Sequence, residues 1–196
     1  VWHAHCVKLD AHGMGRFAAT GTGVAHCPCS NMRLASGIAP VRRMADAGVP
    51  VGLGGDGSAS NDAGHMLAEA RQAMLLARVG RSLEAFGCDH GPKDMSARAA
   101  LWLATRGGAS VLGRDDIGQI TPGYAADIAI FDTRTLGMPG AAVHDPVAAL
   151  LMCHGEPTAW TIVHGRVVAT RGALTTIDLP AVVARHNRMA QRLAGA

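Results

Sequence analysis

An α/β fold follows from three features of the sequence. Residues 1–113 alternate short apolar runs with segments of helical spacing, three of those runs close on a polar side chain (His5, His26 and Asp56), and beyond Gly113 the pattern gives way to short strands punctuated by turns. Strand, helix and strand in succession is the grammar of a parallel sheet, and the C-terminal ends of its strands are where α/β barrels and open α/β sheets keep their chemistry. The sequence therefore divides into a portion with the grammar of a parallel α/β sheet over 1–113 and a β-rich portion with a closing helix over 114–196.

Taken in order, 1–9 reads as a first strand that carries His3 and His5 on one face, since alternate residues of a strand point the same way. A second strand, 23–27, carries His26 at its end, ahead of Cys27 and Pro28. Residues 40–47 form a short helix opened by Pro40, and 49–53 a third strand. A longer helix at 64–78 repeats Met66, Ala70, Ala73, Met74 and Ala77 at helical spacing, and methionines in such a stripe fill a core. Another helix covers 96–105. Beyond it, 117–120, 126–131, 160–163 and 166–169 are short strands separated by Pro122-Gly123, Pro139-Gly140 and His164-Gly165, an antiparallel pattern. The last helix, 180–193, has Pro180 in its first turn and Asp178 as its N-cap.

Composition narrows the classes. With 196 residues, 48% hydrophobic and 17% charged, the chain is globular, yet shorter than the ~250 residues of a complete eight-stranded α/β barrel. It opens at Val1, directly in an apolar strand, as a piece of a longer protein would. No basic leader precedes an apolar core and no uncharged run reaches about 18 residues, which predicts a cytoplasmic chain with no membrane partner. A scattered net charge of +3 argues against nucleic acid. Cys6, Cys27, Cys29, Cys88 and Cys153 are odd in number and irregularly spaced, which reads as free thiols; Cys27 and Cys29 lack the second pair that a structural zinc knuckle needs.

The stretch 51–62, VGLGGDGSASND, poses the functional question. Gly52, Gly54 and Gly57 match a dinucleotide-binding spacing, but Asp56 would set a negative charge where a pyrophosphate belongs, and 72–80 holds no acidic residue for a ribose. What remains is a lone carboxylate at a strand end, in a chain with ten histidines. Any single histidine is more often a core or surface residue than a ligand, whereas three successive strands ending in His5, His26 and Asp56 form one polar face, suited to metal binding or proton transfer near pH 7.

AHCVKLD at 4–10, then HCPCSN, LASG and GGDGSASND in order within 24–62, and IGQITPGYAADIAIFD at 117–132, are similar in type and spacing to the amidohydrolase superfamily, in its deaminase and chlorohydrolase branch. The resemblance covers nearly the whole chain. It implies a (β/α)8 metal-dependent hydrolase barrel flanked by a small β-sandwich, with this chain supplying strands six to eight and the C-terminal part of the sandwich. By the same resemblance His5 stands after the sixth strand, where it orients or polarises the attacking water or the substrate, and His26 stands on the seventh, supporting the pocket. Asp56 stands on the eighth, as metal ligand and proton carrier. Ser58, Ser60 and Asn61 are candidates to bond substrate or to hold the loop, the second favoured because Ser and Asn readily bond nearby backbone.

The implied cofactor is one divalent ion, zinc or iron. The implied reaction is hydrolytic loss of ammonia from a purine-like heterocycle, with 8-oxoguanine favoured over s-triazine chloro- or aminohydrolysis and over guanine- or S-adenosylhomocysteine-type deamination; the complete protein would form a homo-oligomer. A reading of another class is a non-catalytic binding or assembly module derived from the barrel. The resemblance also places an H-x-H pair, a fifth-strand histidine and an acid/base glutamate upstream of the sixth strand, so the chain alone is expected to be inactive. His3 and His5 do spell H-A-H, and the alternative is that they are metal ligands. The CVKLD that follows them favours the sixth strand, as does the distance to Asp56, which leaves room for three strands at roughly 30 residues per βα unit.

Overall fold

The computed structural model describes residues 1–84, 94–153 and 157–195. They form two compact units, Val1–Tyr124 with Thr133–Gly155, and Ala125–Asp132 with Glu156–Ala196.

The first unit is built on three parallel strands, β1 (Trp2–Ala4), β2 (Gly23–His26) and β3 (Val51–Leu53), in the order β1-β2-β3. Trp2 pairs with Gly23 and Val24 with Val51, so the strand ends lie side by side. Between β1 and β2 runs α1 (Ala11–Thr20), a helix that the spacing of the sequence leaves unmarked because Gly13 and Gly15 weaken its propensity. Its ends are fixed locally: the Asp10 carboxylate accepts the Gly13 N–H at 2.7 Å, and Gly21 stops it at φ 64°. Two short helices, α2 (Pro28–Arg33) and α3 (Val41–Asp46), link β2 to β3.

The long helix α4 (Met66–Glu84) follows, extending past the expected 64–78. Its stripe packs inward, with Ala70, Ala73, Met74 and Ala77 buried beside Val24, Met44 and Val51; Met66, at the first turn, is exposed. α5 (Ala97–Trp102) is capped by Ser96 Oγ on the Ala99 N–H and continues through a π turn at Leu103–Gly107 into α6 (Gly108–Leu112), beyond the end expected at 105. The π turn and α6 lie directly on β3. A methyl group on Gly52 would stand 2.8 Å from Gly108 Cα, and one on Gly107 would stand 2.3 Å from the Val51 carbonyl oxygen. Glycine is required here for backbone-to-backbone packing.

Residues 117–120 do not form the expected strand. Gly118 takes φ 87° and lies against the Thr105 carbonyl, and Arg106 donates to Gln119 Oε1, so this segment is held on the π turn instead of pairing. After β4 (Ile128–Ile130) of the second unit, the chain returns to the first with α7 (Ala141–His144) and α8 (Pro146–Met152). α8 packs on α4 and α5 and buries Ala149 and Leu151, which is why the boundary expected at 113/114 is replaced by an interleaved one.

In the second unit β4 joins β5 (Trp160–Val163), β6 (Arg166–Thr170) and β7 (Ala173–Leu174) in an antiparallel sheet ordered β4-β5-β6-β7. α9 (Leu179–Leu193) closes the chain, with the Asp178 carboxylate accepting the Ala181 N–H. Cys6, Cys27, Cys29 and Cys153 are free thiols, and Cys88 lies outside the described residues. No described helix is long and apolar enough to cross a membrane.

Candidate active site

β1, β2 and β3 each deliver a polar residue at or just past their C-terminal ends. His5 follows β1, His26 ends β2, and Asp56 stands three residues beyond β3. Two of the three leave the strand in left-handed backbone: His5 has φ 66° and Asp56 φ 60°. For Asp this region is accessible because its short polar side chain bonds locally; for His it is unusual, and such outliers cluster at functional sites. The turn past β3 is thus made by Asp56 itself, while Gly54, Gly55 and Gly57 keep negative φ.

The turn at His5 also separates the H-A-H pair. His3 stays in β1 and stacks on Phe17 of α1, with ring centroids 5.3 Å apart. His5, swung off the strand by its left-handed backbone, bonds Asn31 Oδ1 through Nδ1 at 2.9 Å and brings Nε2 to 3.6 Å from Asp56 Oδ2. The face that strand alternation predicts for the pair is therefore not shared.

Asp56 Oδ2 accepts from Ser30 Oγ at 2.6 Å and from Ser60 Oγ at 2.9 Å. Those hydroxyls, with the Gly57 N–H, hold the carboxyl down at about 2, so Asp56 is an anion throughout the neutral range. His26 is buried, and loss of solvent, reinforced by His5, lowers its pKa to about 4; it is neutral at pH 7. Its Nδ1 has no hydrogen-bond partner among the described residues.

Ser60 and Asn61 are buried and turned into their own loop, with both N–H groups on the Gly57 carbonyl and Asn61 Nδ2 on the Gly55 carbonyl at 2.7 Å. Ser58 is exposed. Burial, then hydrogen bonding to and charge from Glu69, push the Cys29 thiol up to about 12; burial, then the charges of Asp56 and Glu69, push Cys27 to about 11. Thiols held in the protonated form are poor metal ligands.

Three residues beyond those singled out by sequence belong to the site. Ser30 and Asn31, which open α2 after HCP, are fully buried and reach Asp56 and His5. Glu69, in the first turn of α4, is 1% exposed. Its position was legible: it falls three after Met66 and four before Ala73, on the apolar stripe, where a carboxylate is out of place unless it has donors.

No cluster of three or more His, Cys, Asp or Glu side chains that could hold a metal occurs among the described residues. A carboxylate oxygen and an imidazole nitrogen 3.6 Å apart are nonetheless the donor types that zinc and iron accept, with Asp56 already ionised. The described residues fit such an ion as part of a ligand set.

The chain belongs to the Amidohydrolase family, which it matches over residues 1–168. It is 44% identical over 192 residues to 8-oxoguanine deaminase of Pseudomonas aeruginosa, a match covering 98% of this chain and 40% of that protein. It is 39% identical over 203 residues to isoxanthopterin deaminase of an unknown prokaryotic organism, covering 98% and 41%. Among solved structures, atrazine chlorohydrolase of Arthrobacter aurescens complexed with zinc superposes with a TM-score of 0.86 at 36% identity, covering 96% of this chain and 40% of that one. The chain thus spans about 40% of the length of the relatives it matches.

Proposed function

We propose that the chain is the C-terminal portion of a metal-dependent aminohydrolase that removes ammonia from an amidine-like carbon of a purine-like heterocycle, 8-oxoguanine in the first place. In this reading β1–β3 are strands six to eight of a (β/α)8 barrel and the second unit is part of the flanking β-sandwich. The observation that carries it is the pairing of Asp56, ionised and anchored by Ser30 and Ser60, with His5 at 3.6 Å.

Asp56 would hold the divalent ion through the carboxylate, and ligands from the upstream length would complete the set. When bound, such an ion supplies acidification of a water to a pKa of about 7. The Asp56 carboxylate, kept anionic by three donors, takes up a proton from the attacking water and returns it to the leaving nitrogen. His5 is aligned through the Asn31 bond so that Nε2 faces the same space, where it orients the water or polarises the ring. His26, neutral and buried, supports the pocket, and the exposed Ser58 is a candidate to bond the substrate. Ser60 and Asn61 shape the loop.

The choice of 8-oxoguanine rests on the 44% identity to its deaminase; the s-triazine reading rests on the 36% identity to a chlorohydrolase. The test is ammonia release from 8-oxoguanine and chloride release from atrazine by the full-length protein, with zinc and after chelation. Zinc-dependent release from 8-oxoguanine is expected. Turnover of atrazine alone would replace the substrate, and turnover of neither, with no bound metal, would favour a non-catalytic module.

A further inference from the structure

Glu69 has no part in the chemistry above, yet its two carboxylate oxygens reach two different segments of the site. Oε1 accepts from Asn61 Nδ2 at 2.6 Å and Oε2 accepts the Cys29 N–H at 3.2 Å. Asn61 Nδ2 also binds the Gly55 carbonyl at 2.7 Å, immediately before Asp56, and Cys29 immediately precedes Ser30, the donor to Asp56 Oδ2. A carboxylate from α4 is thus one bond away from both flanks of the Asp56 anchor.

The energetics argue that this is more than packing. Burying a carboxylate is costly unless it is well bonded, and an apolar residue at this point of the stripe would avoid that cost. The return is rigidity: Asp56 sits in left-handed backbone in a loop of small residues, and the bonds from Asn61 and Cys29 tie that loop and α2 to a long helix whose inner face, Ala70, Ala73, Met74 and Ala77, is buried. Glu69 also lies in the first turn of α4, where the helix dipole favours an anion.

We propose that Glu69 is a positioning residue which, through Asn61 and the Cys29 N–H, sets the place of the Asp56 carboxylate and thereby the residence time of the divalent ion. This rests on the reading of Asp56 as a ligand.

The experiment compares zinc release to a chromogenic chelator, well below the unfolding temperature, from the full-length protein and from Glu69→Gln and Met74→Ala variants. Gln retains the shape but puts an amide against one of the two donors. Met74 is fully buried on the same helix, so its truncation reports loss of packing alone. Thermal midpoints of the metal-free proteins establish how far each variant is destabilised. Glu69→Gln should release zinc at least tenfold faster than wild type and lose kcat with little change in KM, whereas Met74→Ala, at equal or greater destabilisation, should release it at the wild-type rate. Equal release from the two variants would overturn the proposal and leave the Asp56 reading standing. A wild-type protein that holds no zinc would overturn both.

Discussion

His5 and Asp56 leave strands β1 and β3 in the same left-handed conformation and meet, Nε2 to Oδ2, at 3.6 Å in front of the strand between them. Asn is the replacement for Asp56 that keeps this backbone accessible while removing the charge. Asp56→Asn in the full-length protein should therefore fold normally, retain well under one equivalent of zinc after dialysis, and lose turnover by on the order of 10³-fold. Full zinc content with normal turnover would remove Asp56 from the mechanism.

Ser30 acts on Asp56 through the 2.6 Å bond to Oδ2. Removing an anchor of this kind typically costs about 10–100-fold in metal affinity or activity. Ser30→Ala should fall in that range, measured as zinc affinity by competition and as kcat/KM. No change in either would make the hydroxyl a bystander.

The pH dependence of stability should carry the signature of His26. Its pKa is about 4 when folded, against 6.5 for an ordinary His, so between those values the unfolded chain binds a proton that the folded one refuses. Stability must fall as pH drops through that window, by up to about 1.4 kcal/mol per unit. Urea midpoints at pH 7 and pH 5 should separate in the wild type and converge in His26→Gln; an unaltered separation in the variant would assign the loss to other groups.

Gly52→Ala would place a methyl 2.8 Å from Gly108 Cα. Main chain on both sides leaves nothing flexible to yield, and overpacking of this kind costs about 1–3 kcal/mol. The urea midpoint should fall accordingly.

The 196-residue chain by itself should retain well under one equivalent of zinc after dialysis and bind a hydrophobic dye. A catalytic zinc takes about three protein ligands, and no group of three that could hold one occurs among the described residues. β1 is also an edge with an exposed Trp2. One tightly held zinc in this chain would reopen the case for His3, despite its stacking on Phe17.

Strand order and the polar strand ends were legible because β2 and β3 are apolar runs that stop at recognisable turns. The closing helix was legible where Asp178 announced it, and α1 was hidden by its two glycines. Nothing local marks the left-handed turn at His5, whose side chain bonds Asn31, 26 residues away; alternation therefore put His3 and His5 on one face in error. Ser30 and Asn31 lay in full view within HCPCSN, but their partners are 26 residues away, a distance that pattern reading does not bridge. The failure at 117–120 has the same origin: an apolar run looks like a strand until a helix offers its glycine a closer partner.

The seating of β3 on the π turn has a consequence for protein engineering. Because Gly52 and Gly107 bring main chain against main chain, the height of the strand that leads to Asp56 is set by backbone contact and not by any rotamer. Volume-conserving exchanges among Met44, Met74 and Leu151 should then leave the carboxylate where it is, so a library that diversifies the interior can be screened for thermostability with the reaction centre held constant.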